Sequence, residues 1–165
     1  RLFQVNLEKG YRYDLVNAAL HAGVSFDDIN NVSQRLKALV SISRETWWAE
    51  LVTVVERTFN IGKKANTSGV VNEGFFTEQD EVTVWNVYKK VRTDIRKQID
   101  EKKYEDASYA YYHAFAKPIH TFFERVFVNV EDEKVRNNRL LLLKEINDLY
   151  SGKIADLSQI TVPGT

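Results

Sequence analysis

Apolar residues recur along this chain at spacings of three and four, which is the period of an amphipathic helix. Glycine and proline are scarce, and Pro118 is the only proline in the interior of the sequence. The pattern contains no internal repeat and no linker long enough to separate two domains. We therefore predict an all-α fold, a helical bundle of about six to seven helices in which residues 1–165 form a single domain.

Caps and helix breakers set the helix boundaries in the first half of the chain. A capping-box pattern over residues 25–28 predicts a helix from about 26 to 41. The next helix is expected to stop near Gly62, because residues 65–69 are turn formers. An exposed loop should follow it.

The second half of the chain carries the clearest helical periodicity. Residues 77–80 are predicted to cap a helix whose apolar positions continue for about five turns. Pro118 is predicted to open a new helix directly after the helix over 103–116, because its missing N–H would be unpaired in a first turn anyway. A final helix is predicted over about 131 to 150, where three acidic residues occupy its positive N-terminal end. The apolar residues of the tail, 151–160, are expected to return to the core.

Composition removes most kinds of catalytic chemistry. The absence of cysteine excludes disulfides and thiolate metal sites, and no glycine-rich phosphate loop is present. The predicted break at Pro118 separates His113 from His120, so we expect no shared metal. We therefore predict no catalytic residue, no metal and no cofactor in this chain.

The chain begins with arginine and lacks methionine, which predicts an excised piece of a longer protein. No apolar run approaches the roughly 20 residues of a membrane span, which predicts a soluble protein.

Basic residues are balanced by acidic ones overall, at 23 each, so nucleic acid could be bound only by a local patch. The helix predicted after residue 80 carries a basic run in which Arg92 and Arg96 lie one turn apart and could track phosphates. A solvated helix face with local ion pairs is the alternative, and composition alone favours it.

Two further basic clusters are candidates for the same chemistry. Arg57, Lys63 and Lys64 lie where a helix runs into a loop. Arg136 and Arg139 flank amides, including that of Asn138, that could read base edges or cap neighbouring groups. Buried arginine–carboxylate pairing stays open for this second pair.

Aromatic residues cluster at two places in the sequence. Four tyrosines lie close together between residues 104 and 112, and two tryptophans are adjacent at 47–48. Stacking on splayed RNA bases is one use for such rings, and core packing is the use that we favour for most of them.

Residues 117–140 closely resemble the stretch that ends the beta subunits of glycyl-tRNA synthetases. The shared pattern is a proline, a double phenylalanine, a valine-rich strip, an acidic pair and an arginine–asparagine–arginine–leucine element, carried here by Pro118, Phe122, Phe123, Val126, Val128, Glu131, Asp132, Arg136, Asn138, Arg139 and Leu140. Residues 57–64 are similar to the family's Arg-x-x-Asn-Ile-x-Lys-Lys element. The resemblance covers nearly the whole chain and is weakest over 65–74. His120 stands where the family usually has an acid, and Phe127 and Asn129 replace its usual methionines.

The resemblance implies the helical anticodon-binding type of fold, which arginyl-tRNA synthetases share. It implies that the chain recognises the anticodon arm of tRNA-Gly, while glycylation of the tRNA, with ATP and Mg, takes place on the alpha subunit. The implied partners are tRNA-Gly, that alpha subunit and the remainder of beta, in an alpha2beta2-type assembly with no membrane contact. The implied location is the bacterial cytoplasm, or an organelle such as a plastid.

The residues expected to bind RNA combine the three basic clusters with two amides. The candidates are Arg57, Asn60, Lys63, Lys64, Arg92, Arg96, Arg136, Asn138 and Arg139. The alternative function is a helical scaffold for subunit assembly that does not touch RNA. A basic strip joining the clusters would favour RNA, and an exposed apolar patch would favour a protein partner.

Overall fold

Helices account for all the regular structure in the part of the chain that the computed structural model describes, residues 10–21, 29–66 and 68–160. The six α-helices are α1 (Tyr13–Leu20), α2 (Ile29–Ile42), α3 (Trp48–Gly62), α4 (Gln79–Asp100), α5 (Tyr104–Arg125) and α6 (Glu133–Asp148). Short 3₁₀ turns lie at Glu73–Phe75 and Leu157–Gln159. The prediction of an all-α bundle of about six to seven helices is confirmed. The capping pattern predicted at 25–28 lies outside the described residues.

One apolar core draws on every helix. Its members include Leu15 of α1, Leu36 of α2, Leu51 of α3, Tyr111 of α5 and Leu142 of α6, each at most 2% exposed. Burying a side chain of this size contributes about 1.5–3 kcal/mol. α4 packs along α5, and α3 lies between α5 and α6. The core therefore fixes the relative positions of α3, α5 and α6, the helices that carry the surfaces described below.

Carboxylates hold the starts of α4 and α6. At α4 the N-cap is Glu78, and Glu81 accepts hydrogen bonds from the backbone N–H groups of Thr77 and Glu78 at 2.9 and 2.8 Å. The cap thus lies where the sequence predicted it, but its carboxylate belongs to Glu81. At α6 the side chain of Asp132 accepts from the N–H groups of Lys134 and Val135, as the acidic start predicted.

Pro118 does not break the helix that contains it. α5 continues from Tyr104 to Arg125, so the prediction that a new helix begins at Pro118 is wrong. An interior proline costs a helix about 3 kcal/mol. Phe115, Ile119 and Phe122 lie on the buried face around it, each at most 1% exposed, and their burial offsets that cost. His113 and His120 are therefore two turns apart on one face of a single helix.

The tail folds back as predicted. Gly152, with φ of +78°, ends the turn that follows α6. Ile154 and Leu157 are buried, and the N–H of Asp156 donates to the carbonyl of Ala18 at 2.9 Å. The tail thereby closes the core beneath α1.

Candidate nucleic-acid interface

Gly62 allows the end of α3 to press directly on α6. A Cβ atom at this position would lie 2.8 Å from the backbone nitrogen of Lys144 and 2.9 Å from its Cα. No side chain fits at that distance, so glycine is required for the contact. The chain that leaves α3 is thereby brought alongside α6.

A basic cleft forms where that chain runs past the N-terminal half of α6. We define the basic cleft by its lining residues, which are Lys64, Ala65, Asn66, Glu133, Lys134, Arg136, Asn137 and Leu140. It has a volume of about 520 Å³. Three cations and two neutral amides face a single acid in this lining. The structure therefore unites Lys64 and Arg136, which the sequence had placed in separate clusters, and adds Lys134.

One wall of the basic cleft is a loop clamped onto α6, residues 66 and 68–76, which we call the docked loop. The N–H of Asn66 donates to Asn137 Oδ1 at 3.2 Å, and the N–H of Asn72 donates to Asn138 Oδ1 at 2.8 Å. Asn138 Nδ2 donates in return to the carbonyl of Asn72 at 3.0 Å. The loop was expected to be exposed, and its backbone is nevertheless fixed by the amides of α6.

Asn138 is accordingly an internal residue in this structure. Its side chain is 2% exposed, and both polar atoms of its amide bind the docked loop. The proposed base reading by Asn138 is corrected to backbone recognition within the protein.

Arg139 is likewise internal and only 3% exposed. Its Nε lies 3.1 Å from Glu81 Oε1, and its Nη2 donates to Thr77 Oγ1 at 2.8 Å. Its Nη1 donates to the carbonyl of Phe127 at 2.7 Å. Glu81 is fully buried, so the alternative of a buried arginine–carboxylate pair is confirmed and the predicted phosphate contact is corrected.

A signal for both corrections was present in the sequence. Asn138 and Arg139 lie three and four residues after Val135, and Leu142 and Leu143 follow at the same spacing. They therefore lie on the inward stripe of α6. We expected both residues to contact RNA because they are polar, without using their position on the inward face of the helix.

The remaining candidates on α3 and directly after it are exposed. Arg57 places its guanidinium 4.3 Å from the centre of the Phe123 ring, which orients it by a cation–π contact. Lys63 Nζ donates to Asn60 Oδ1 at 3.1 Å. Arg57, Asn60 and Lys64 follow one another at spacings of three and four, so they form one surface stripe that leads to the basic cleft.

Arg136 is half-buried at the cleft. Its Nη1 donates to the carbonyls of Val130 and Glu131, at 2.8 and 3.3 Å. These bonds tie the start of α6 to the preceding turn while the residue lines the basic cleft. Its predicted RNA contact stays a prediction.

Arg92 and Arg96 lie elsewhere, around Tyr88 on α4. Arg92 lies over the Tyr88 ring at 5.6 Å, and Arg96 Nη2 donates to the Tyr88 hydroxyl at 3.3 Å. Burial, and then the hydrogen bond to Glu145, raise the pKa of Tyr88. The two arginines do not line the basic cleft, and their RNA contact also stays a prediction.

A second surface, which we call the aromatic groove, runs between α3 and α5. Its lining residues are Ala49, Glu50, Thr53, Val54, Arg57, Tyr112, His113, Ala116, Lys117, Ile119 and His120, and its volume is about 680 Å³. Trp47 and Tyr109 stand at its end, where Trp47 stacks on Tyr112 at 5.2 Å and Tyr109 on His113 at 5.8 Å. Sequence reasoning missed the groove because it broke α5 at Pro118. A continuous helix would have placed His113, Lys117 and His120 on one face.

We favoured core packing for most of the clustered tyrosines and tryptophans, and only some of them are buried in the core. Tyr104, Tyr111 and Trp48 are buried, whereas Tyr109 is 50% exposed and Trp47 and Tyr112 are half-buried. The rings that lie at the surface thus gather at one end of the aromatic groove.

Neither a metal site nor a membrane span is found among the described residues. Nowhere among them do three His, Asp or Glu side chains gather closely enough to hold a metal ion. None of the helices in the described ranges is at once long enough and apolar enough to span a membrane.

The sequence matches known proteins over almost its whole length. It is 31% identical over 164 residues to a glycine–tRNA ligase beta subunit of Halothermothrix orenii, which is 98% of this chain and 23% of that protein. It is 36% identical over 162 residues to the corresponding subunit of Desulforamulus reducens, with coverage of 98% and 23%. The chain therefore spans less than a quarter of the length of these relatives. The resemblance noted from residues 117–140 is confirmed. Residues 52–152 match the family model of the DALR anticodon binding domain, and with its all-helical fold the chain belongs to that family.

Proposed function

We propose that this chain recognises tRNA-Gly by binding its anticodon arm, as a module of a glycine–tRNA ligase. In this proposal the chain has no catalytic centre, and ATP-dependent, Mg-dependent glycylation takes place on a separate alpha subunit. The alpha subunit and the rest of a longer beta subunit are its protein partners, in an alpha2beta2-type assembly of the bacterial cytoplasm or of a plastid. The observation that carries the proposal is the basic cleft.

The basic cleft has the chemistry that binding to an RNA backbone requires. Lys64, Lys134 and Arg136 oppose the single carboxylate of Glu133 in its lining. Because the chain as a whole has a formal net charge of zero, this local excess is what can attract phosphate. Asn66 and Asn137 add neutral amides that can hydrogen-bond to sugars or bases.

Hydrogen bonds hold one wall of the basic cleft in place, which favours specific recognition. The docked loop is held to α6 by three hydrogen bonds between amide side chains and its backbone. A preformed site loses little conformational entropy when it binds. The exposed stripe of Arg57, Asn60 and Lys64 extends the basic surface along α3.

The test is fluorescence anisotropy of labelled tRNA-Gly titrated with this chain over a series of salt concentrations. A tRNA altered only in its anticodon serves as the comparison. We expect affinity to fall with salt and with the anticodon change. Lys64→Ala and Lys134→Ala should each lower the slope of log affinity against log salt by about 0.7–0.9, the value for one lost phosphate contact.

The control is Lys153→Ala, which removes the same charge from an exposed position outside the basic cleft. It should leave the slope unchanged. Absence of binding to either tRNA at about 0.1 mM, the weak end of non-specific affinity, would refute the proposal.

The scaffold alternative is favoured by one observation on the docked loop. Val70 is 81% exposed and Phe75 is 37% exposed, although the loop backbone is fixed. Exposed apolar side chains on a fixed backbone suit a protein partner. If this alternative holds, Val70→Asp should weaken binding of the alpha subunit in a sedimentation assay, and affinity for tRNA should not depend on Lys64.

A further inference from the structure

The aromatic groove offers flat rings beside positive charge. α3 and α5 run in the same direction along it, since Trp47 contacts Tyr112 near the start of α3 and Arg57 contacts Phe123 near its end. Between these contacts, the short side chains of Ala49 and Ala116 leave the groove open. Its shape is therefore that of an elongated trough.

The aromatic end of the trough has ring faces at the surface. Tyr109 is half exposed, and its ring is nearly parallel to that of His113, with an interplanar angle of 19°. Trp47 and Tyr112 form a second near-parallel pair, at 22°. Such pairs hold each ring in a fixed orientation, so that a further planar group can stack without ordering the rings first.

Each wall of the trough carries one formal cation, Lys117 on α5 and Arg57 on α3. On α5, Tyr109, His113, Lys117 and His120 follow at spacings of four, four and three, which places them on one face over about 17 Å. On α3, Arg57 lines the opposite wall, where Glu50 is the only acid of the lining. The trough thus combines stacking surfaces with an excess of cations, the combination that single-stranded nucleic acid requires.

We infer that the aromatic groove binds unpaired RNA nucleotides, with a base stacked on Tyr109 and the backbone phosphates against Lys117 and Arg57. The inference rests on the proposed function, because it takes the ligand to be RNA. The stripe formed by Arg57, Asn60 and Lys64 joins the groove to the basic cleft along α3, over about 21 Å from Glu50 to Lys64. One RNA can therefore place paired backbone at the cleft and unpaired bases in the groove.

The experiment compares two RNA probes, a hairpin with a single-stranded loop and a blunt duplex with the sequence of its stem. Both are titrated by anisotropy with the wild-type chain, Tyr109→Ala and Tyr109→Phe. Loss of one stacked base should weaken hairpin binding by about 5-fold to 150-fold in Tyr109→Ala. Tyr109→Phe retains the ring and should bind as the wild type does. Duplex affinity should be unchanged in both variants.

Two further variants test position and charge. Phe127→Ala removes an aromatic side chain that is 72% exposed and outside the lining of the groove, and it should not alter hairpin affinity. Lys117→Ala should lower the salt slope for the hairpin by about 0.7, the single-strand value for one phosphate. Circular dichroism verifies that each variant is folded.

Each unfavourable outcome has a distinct meaning. Hairpin binding that weakens in Lys64→Ala and is unchanged in Tyr109→Ala overturns the inference and leaves the proposed function standing. Loss of alpha-subunit binding in Tyr109→Ala with unchanged hairpin affinity assigns the groove to a protein and also overturns it. Failure of the wild-type chain to bind either probe or tRNA-Gly at about 0.1 mM overturns the proposed function and the inference together.

Discussion

Replacing Arg139 by methionine should destabilise the fold strongly, because the change leaves a buried carboxylate without its counterion. Arg139 joins three segments through Glu81 and Thr77 at the start of α4 and the carbonyl of Phe127 after α5. Methionine fills much of the same volume and carries no charge. The perturbation therefore isolates the loss of the cation and its hydrogen bonds.

The expected loss is about 3–4 kcal/mol. Breaking a buried ion pair by removing one partner costs about 3–5 kcal/mol. The lower part of that range applies because Glu81 keeps two hydrogen bonds from backbone N–H groups, those of Thr77 and Glu78. In a domain of this size such a loss lowers Tm by about 6–16 °C.

Urea unfolding followed by circular dichroism measures the effect. With a slope of about 2 kcal/mol/M, the unfolding midpoint of Arg139→Met should fall by about 1.5–2 M. The matched control is Arg136→Met, the same change on the same helix at a half-buried site bonded only to carbonyls in the turn before α6. It should cost about 1 kcal/mol.

The double variant Glu81→Gln/Arg139→Met completes the test. It removes both charges, so it should recover part of the stability that Arg139→Met loses. A loss of less than about 1 kcal/mol in Arg139→Met, or a double variant no more stable than the single one, would mean that the buried ion pair does not stabilise the fold in this way. Below its unfolding transition, Arg139→Met should keep the tRNA affinity of the wild type.

Three other predictions concern the packing of α3, α5 and α6. Gly62→Ala should cost about 1–3 kcal/mol by overpacking against Lys144, measured by thermal unfolding; an unchanged Tm would mean that α3 and α6 are not in close contact. Pro118→Ala should stabilise the chain by about 1–2 kcal/mol in the same assay, because the helix penalty of about 3 kcal/mol exceeds the entropy that proline removes from the unfolded state. Burial raises the folded-state pKa of Tyr111 and Tyr150 above the unfolded value of about 10. The stability that these two neutral phenols contribute is complete below that pH and is lost as pH rises above it, so tyrosinate absorbance should show at least two phenols that ionise only with unfolding.

Local signals in the sequence were sufficient for most of the fold. The end of α3 at Gly62 and the start of α6 near residue 132 were predicted because the turn formers at 65–69 and the acidic cap act locally, next to the helix ends. The continuation of α5 through Pro118 was not predicted, because it depends on the burial of Phe115 and Phe122 by other helices. A rule for proline that uses the sequence alone does not include the free energy of that burial.

The candidate site was harder to predict for the same reason. Lys64 and Arg136 were each identified as candidates, but their meeting in one cleft depends on the contact between Gly62 and α6. Asn138 and Arg139 were assigned to RNA by their chemistry, although their spacing matched the inward face of α6. Polar residues on an apolar stripe are better read first as internal partners.

Asn138 holds the docked loop in a way that does not depend on the amino acid at the point of contact. Both hydrogen bonds go to the backbone N–H and C=O of residue 72, which every amino acid except proline possesses. The side chain at residue 72 can therefore change while the backbone there keeps the same place against α6. A segment held by this clamp can differ in sequence and still form one wall of a fixed cleft. Substitutions at exposed positions such as Val70 could accordingly alter what the cleft recognises without moving the cleft itself.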